Sequence, residues 1–199
     1  MSLLIVETEF AAIDFEAAGT EPGGTDSPIQ IGIASMKGGL LMPETFFRSY
    51  LQGGSGGTHS AYAIHGIGTE QLVDAPSLLS LWPIVRGHLQ NRCVVAHSAG
   101  SERRYLRTFP FHGFGPWVDT LKLARVLRPG LSNYSLGALI TTFGLEEEVN
   151  HFCTGLKWHD ALYDAVACLL LLRTLIKSAD LWLKPVTILE NPNRRFYNW

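Results

Sequence analysis

"EFAAIDFEAAG", Glu9 to Gly19, is the stretch whose reading decides the fold. Phe10 to Phe15 is apolar apart from Asp14, the pattern of a buried strand. Side chains alternate between the two faces of a strand, so Asp14 and Glu16, two residues apart, point the same way. Two carboxylates side by side at the end of an apolar strand repel each other and lose hydration. A divalent cation is the usual compensator for such a pair. Alone, the pair is more often the mark of a strand running out into solvent with two surface acids. Two stretches further along the chain separate these readings.

Outward from that strand, "GTEPGGTDSP" (Gly19 to Pro28) reads as a turn-rich loop. Ile29 to Met36 predicts a second strand, "KGG" at Lys37 to Gly39 a turn, and Leu40 to Tyr50 a third strand. Together they form an antiparallel meander with the acidic strand first. "GGSGG" at Gly53 to Gly57 is a flexible spacer. From Ala61 the pattern becomes helical. Leu78, Leu81, Trp82, Val85 and Leu89 fall at helical spacing within Ser77 to Gln90, with Ser77 as N-cap. Cys93 to Ala96 predicts a buried strand, followed by a helix from about Gly100 to Thr108. A short strand at Trp117 to Val118 leads into a helix over Thr120 to Leu127. Another helix starts near Ser135. The longest covers Ala161 to about Lys177, apolar nearly all round and hence buried. Five strands interleaved with helices give an α/β fold, a mixed sheet with helices on its faces.

The composition is that of a globular protein: 199 residues, 46% hydrophobic and 17% charged, expected to form one domain over 1–180 with a C-terminal tail at 181–199. A formal net charge of −2 provides no global basic field, so any nucleic-acid contact must be local or carried by bound metal. The three cysteines, Cys93, Cys153 and Cys168, lack CxxC spacing and an even count, which argues against a zinc site or a disulfide framework. No signal-peptide pattern opens the chain and no apolar run reaches the roughly 20 residues of a membrane span. The expected location is cytoplasmic, with no membrane partner.

The second stretch is "VVAHSAGSERRYL", Val94 to Leu106. A strand ends, and Glu102 falls in the first turn of the next helix, where the helix dipole favours a negative charge. The third is "KWHDALYDAVA", Lys157 to Ala167. Asp160 reads as the N-cap of the long helix, Asp164 lies about one turn inside it, and His159 precedes it. Residues five apart on one continuous helix would diverge by about 140°, but a histidine on the preceding loop can converge with Asp164. The order of the three stretches allows all five groups to meet at one end of the sheet.

These residues resemble the DEDDh 3′–5′ exonucleases, of ribonuclease H-like fold, which include the proofreading exonuclease subunits of DNA polymerases. The resemblance runs from about Phe10 to Lys177 and includes "IHGIGTEQLVDAPSL" (Ile64 to Leu78) and "DTLKLARVLRPGLSNYSLGAL" (Asp119 to Leu139). It implies that Asp14, Glu16, Glu102 and Asp164 hold two Mg²⁺ or Mn²⁺ ions, and that His159 is the general base. It further implies that Ile64 and His65 lie against the terminal nucleotide, and that backbone around Ala17 and Ala18 touches its 3′-hydroxyl. The chemistry agrees: oxygen donors select hard cations, and an imidazole, titrating near pH 6.5 when unperturbed, suits a base near neutrality. Four positions depart from the family pattern. Glu102 stands where Asp is usual, Ser98 stands for the common asparagine, and Ala17 and Ala18 replace residues that are often hydroxylic. The expected activity is 3′–5′ hydrolysis of single-stranded nucleic acid, DNA favoured, with a polymerase or a second copy as partner. The alternatives are a weakened nucleic-acid-binding or polymerase-associated module of the same fold, and an exoribonuclease acting on short RNA. Arg103, Arg104, Arg107, Lys122, Arg125 and Arg128 either flank a substrate cleft or simply solvate helix faces.

Overall fold

The computed structural model describes residues 3–20, 26–52 and 58–193. The glycine spacer at 53–57 and the end of the tail at 194–199 lie outside the described residues, as does the 21–25 part of the expected loop. The apolar run around Asp14 forms β1 (Glu9–Ala17), which pairs antiparallel with β2 (Pro28–Lys37). The third expected strand is broken into β3 (Leu40–Leu41) and β4 (Phe47–Tyr50), both antiparallel to β2. Pro43 opens the 3-10 turn Pro43–Thr45 between them; lacking an N–H, it cannot serve in a ladder. The sheet therefore has six strands in place of the five expected.

Next come α1 (His59–His65), α2 (Thr69–Leu72) and α3 (Trp82–Leu89). Ser77 caps its segment as expected, accepting from Ser80 N. The helix over 77–90 is split, however, into a 3-10 turn Leu78–Leu81 and α3. Pro83 is the cause: it has no N–H to continue the ladder and sits in the first turn of the new helix. Then follow β5 (Cys93–Ala96), α4 (Gly100–Leu106), β6 (Trp117–Asp119) and α5 (Thr120–Leu127). Last are α6 (Leu136–Phe143), α7 (Glu146–Phe152), α8 (Ala161–Ser178) and α9 (Thr187–Glu190).

The strand order is β3-β2-β1-β5-β6, with β4 also on β2; β5 runs parallel to both β1 and β6. β1 is central and buried on both faces, which is why its sequence is nearly all apolar. Phe10 and Ala12 face a core built from α5 to α9; Ala11, Ile13 and Phe15 face a second core under α3 and α4. α8 crosses the first face, with Leu169 to Leu172 fully buried. From the tail, Leu181, Val186 and Leu189 are buried in the α8 core, and Ile5 N donates to Lys184 O at 2.9 Å. No helix among the described residues is long and apolar enough to cross a membrane.

Candidate active site

Asp14 and Glu16 continue the row begun by Phe10 and Ala12, so they emerge where the apolar face of β1 ends. The N-terminus of α8 lies over this point, and Gly32, opposite Asp14 on β2, puts it there. A Cβ on Gly32 would sit 2.1 Å from the carbonyl carbon of Ala161 and 2.2 Å from Leu162 N. Only a glycine lets the helix backbone approach the strand so closely.

Side chains of β2 and β4 then hold the helix start. Asp160 is the N-cap: its Oδ1 accepts from Leu162 N at 3.2 Å. Gln30, on β2 opposite Glu16, donates through Nε2 to Asp160 Oδ2 at 3.1 Å and accepts from Ala161 N at 2.7 Å. Arg48 from β4 pairs with the same Asp160 Oδ2 at 2.6 Å. His159, just before the cap, has φ of +65°, a left-handed conformation that a residue with a Cβ adopts only when its surroundings impose it. Glu16, His159 and Asp164 are brought together so that one donor atom from each lies within 4.8 Å of the others. His159 is exposed, Asp164 half-buried and Glu16 buried.

Glu102 arrives from the other side. Asp119, at the end of β6, caps α5 by accepting from Leu121 N at 3.0 Å, and it also accepts from Ser98 N at 3.2 Å and Ala99 N at 3.3 Å. One carboxylate thus ties the ends of β5 and β6 and fixes the loop that starts α4. Glu102, in the first turn of α4, is only 5% exposed. Asp14 and Glu102 stand outside the tight trio, but both belong to the same electrostatic cluster. Asp14 keeps some surface open to solvent, yet the protein around its carboxyl raises its pKa well above the ordinary value. Loss of hydration is the main cause, followed by Asp164, Glu16, Glu102 and Asp160. Burial, then Asp164 and Asp160, pushes Glu16 up to about 8. Burial likewise pushes Glu102 to about 7, with Asp119 adding to the effect.

His65, on α1, is buried against the Ala17 backbone. Its Nδ1 accepts from Ile67 N at 3.0 Å, which leaves the ring proton to the buried Nε2, on the side of the Ala17 backbone. Ile64 beside it is 57% exposed, an apolar side chain open to solvent. The Ala18 amide already donates to Ser27 O at 2.9 Å, so it is not free for a ligand. Of the arginines and lysine singled out in the sequence, Arg104 pairs with Asp26, Lys122 with Asp119, and Arg125 stacks on Tyr134. Three positioning residues carry no motif: Gly32, Gln30 and Arg48. The one signal for Gln30 is an amide inside an Ile-rich strand, where it is 1% exposed.

The donor set suits a hard divalent cation: carboxylate oxygens with one imidazole nearby and no thiolate. Glu102 Oε2 and Asp164 Oδ1 are buried with no hydrogen-bond partner, a costly state for a carboxylate that a cation would relieve.

The sequence model of the exonuclease family (RNase_T) matches residues 11–172. The chain belongs to the exonuclease family. It is 38% identical to exodeoxyribonuclease 10 of Escherichia coli K12 over 104 residues, 52% of this chain and 42% of that protein. It is 30% identical to the PolC-type DNA polymerase III of Thermotoga maritima over 144 residues, 70% of this chain and 10% of the polymerase. The chain thus spans about a tenth of the length of that relative. Among solved structures it resembles exonuclease X in complex with 5′ overhanging duplex DNA, with TM-score 0.72, 26% identity, and coverage of 91% of this chain and 99% of that one. The nuclease domain of 3′hExo, a DEDDh family member bound to rAMP, shares the fold with TM-score 0.72 at 14% identity, covering 89% and 96%. Fold and family are those of nucleases, hydrolases of the phosphodiester bond.

Proposed function

We propose that this exonuclease-family chain removes nucleotides from the 3′ end of single-stranded nucleic acid, DNA in preference to RNA. The observation that carries the reading is the meeting of Glu16, His159 and Asp164 within 4.8 Å, with Asp14 and Glu102 in the same electrostatic cluster, from β1, α4, α8 and the loop before α8. Asp14, Glu16 and Asp164 would hold two divalent cations, Mg²⁺ or Mn²⁺, with Glu102 reaching the second. When bound, such cations stabilise charge on the phosphate and lower the pKa of water. His159, exposed at the mouth of the cluster, takes the proton from the attacking water. Its left-handed backbone and the Gln30–Asp160–Arg48 clamp behind it hold the ring toward the carboxylates. Ile64 offers an apolar surface to the terminal base, with His65 packed beside it against the Ala17 backbone. Similarity to exodeoxyribonuclease 10 favours DNA, and similarity to PolC-type polymerases makes a polymerase the partner class to test first.

The experiment incubates DNA and RNA oligonucleotides of one sequence, labelled at the 5′ end, with the protein and Mg²⁺ or Mn²⁺. Successive shortening from the 3′ end, faster on DNA, is expected. Binding without shortening under either metal would replace the enzyme by a binding module, and faster trimming of short RNA would reassign the substrate.

A further inference from the structure

A second surface, away from the carboxylate cluster, has the chemistry of a strand-binding track. Two cavities of about 490 and 330 Å³ adjoin through Gly113 and Phe114, on either side of the loop between α4 and β6. The larger is floored by Trp82 and Phe114, whose ring centroids are 5.8 Å apart, and Arg86 lies 5.9 Å over Trp82. The smaller is walled by Arg107 and by Arg103, which lies 5.1 Å over Trp117. Among the described residues no aspartate or glutamate lines either cavity. None of these three arginines is in an ion pair there.

Phe111, on the rim of the larger cavity, is 94% exposed and has φ of +56°. A phenylalanine held in water on a left-handed backbone is unfavourable on both counts, and such outliers concentrate where a ligand is met. Guanidinium groups without an acidic partner, set among half-buried aromatic rings and the fully open ring of Phe111, suit a polymer that alternates phosphates and bases. The arginines take the phosphates and Phe111 stacks a base without regard to sequence. An acidic peptide would satisfy the arginines but leave the rings unused.

The two sites are joined by α4. Its first turn carries Glu102 and its C-cap is Arg107, about 7–8 Å apart along the axis and about 140° apart around it, so a strand running between the sites passes round α4. Arg103 lies between them.

We propose that this arginine–aromatic track binds the single strand upstream of the 3′ end, as a second nucleic-acid site that anchors the substrate while its terminus occupies the carboxylate cluster. The proposal rests on reading that cluster as a nuclease site, but its test does not need hydrolysis.

Binding of a fluorescent oligothymidylate of about 20 nucleotides, long enough to span a site of this kind, is measured by anisotropy in EDTA at several salt concentrations. Phe111→Ala, at an exposed position, should weaken binding about fivefold or more, the loss expected when a base stacks on a ring. Arg86→Ala combined with Arg107→Ala should flatten the slope of log K against log salt by about 1.4, two phosphates at about 0.7 each. Thermal melts confirm that the variants fold. Affinity and slope equal to wild type in both variants would overturn the proposal. So would loss of poly-glutamate binding in the variants with oligonucleotide binding intact, which would give the surface to a protein partner. A wild type that binds through Phe111 yet cleaves nothing with metal present would sink the catalytic reading alone.

Discussion

At the scale of single residues the acids of the cluster differ in what they should do. Asp14 is crowded by every other carboxylate of the site, so Asp14→Asn should abolish hydrolysis. Losing the metal-dependent term should cost several kcal/mol of barrier, roughly a thousandfold at 1.36 kcal/mol per tenfold. In EDTA the same variant should melt higher than wild type, because a poorly hydrated carboxyl crowded by other acids has gone; an unchanged turnover would remove Asp14 from the chemistry. His159 lies within metal-ligand reach of Glu16 and Asp164, so its role as base or ligand needs a discriminating experiment. As base, His159→Ala lowers turnover by about 10²–10⁴ without moving the metal concentration at half-maximal rate; a large rise in that concentration would make it a ligand. Glu102 has a buried oxygen without a partner. Glu102→Gln should raise the metal requirement and be partly rescued by excess metal, whereas Glu102→Asp should keep activity. Identical metal titrations for wild type and Glu102→Gln would exclude Glu102 from the site.

At the scale of elements, the site depends on where α8 begins. Gly32→Ala would drive a methyl group into the backbone of Ala161 and Leu162, and backbone cannot swing aside as a side chain does. The expected cost is about 1–3 kcal/mol of stability, as for an overpacked core, together with loss of most activity as Asp164 and His159 shift off Asp14. A Gly32→Ala protein with native melting and full turnover would show that the close approach is dispensable. α7 illustrates why some elements have no sequence signature. Only Val149 of its seven residues is buried, so no apolar stripe repeats at helical spacing. Its one sign is the run Glu146 to Glu148 in the first turn, where negative charge is favoured. β3 and β4 were legible as strand but not as two, since the break depends on Pro43 meeting a turn that only the fold requires.

At the scale of the whole molecule, the crowded carboxylates make the metal-free protein sensitive to pH. Glu16 and Glu102 have folded pKa values of about 8 and about 7, both above the ordinary 4.5 of an unfolded glutamate. A raised folded pKa means stability that is complete below the unfolded value and lost as pH climbs through the folded one. In EDTA, denaturant unfolding should therefore show highest stability near pH 5 and a fall toward pH 8–9, by at most about 1.4 kcal/mol per pH unit for each group. Mg²⁺ or Mn²⁺ should remove much of that fall, since a cation favours the charged carboxylates; a flat profile in EDTA would mean the acids are better solvated than their burial indicates. The sequence by itself determined the alternation that puts Asp14 and Glu16 on one face of β1, the caps at Ser77 and Asp160, and the choice of the five candidate groups. These are local matters of strand period, helix ends and residue type. Only the tertiary structure decided that the groups meet. Gly32, Gln30 and Arg48 act on a helix about 110 to 130 residues away in the chain, and a contact between distant segments leaves no period or spacing in either of them.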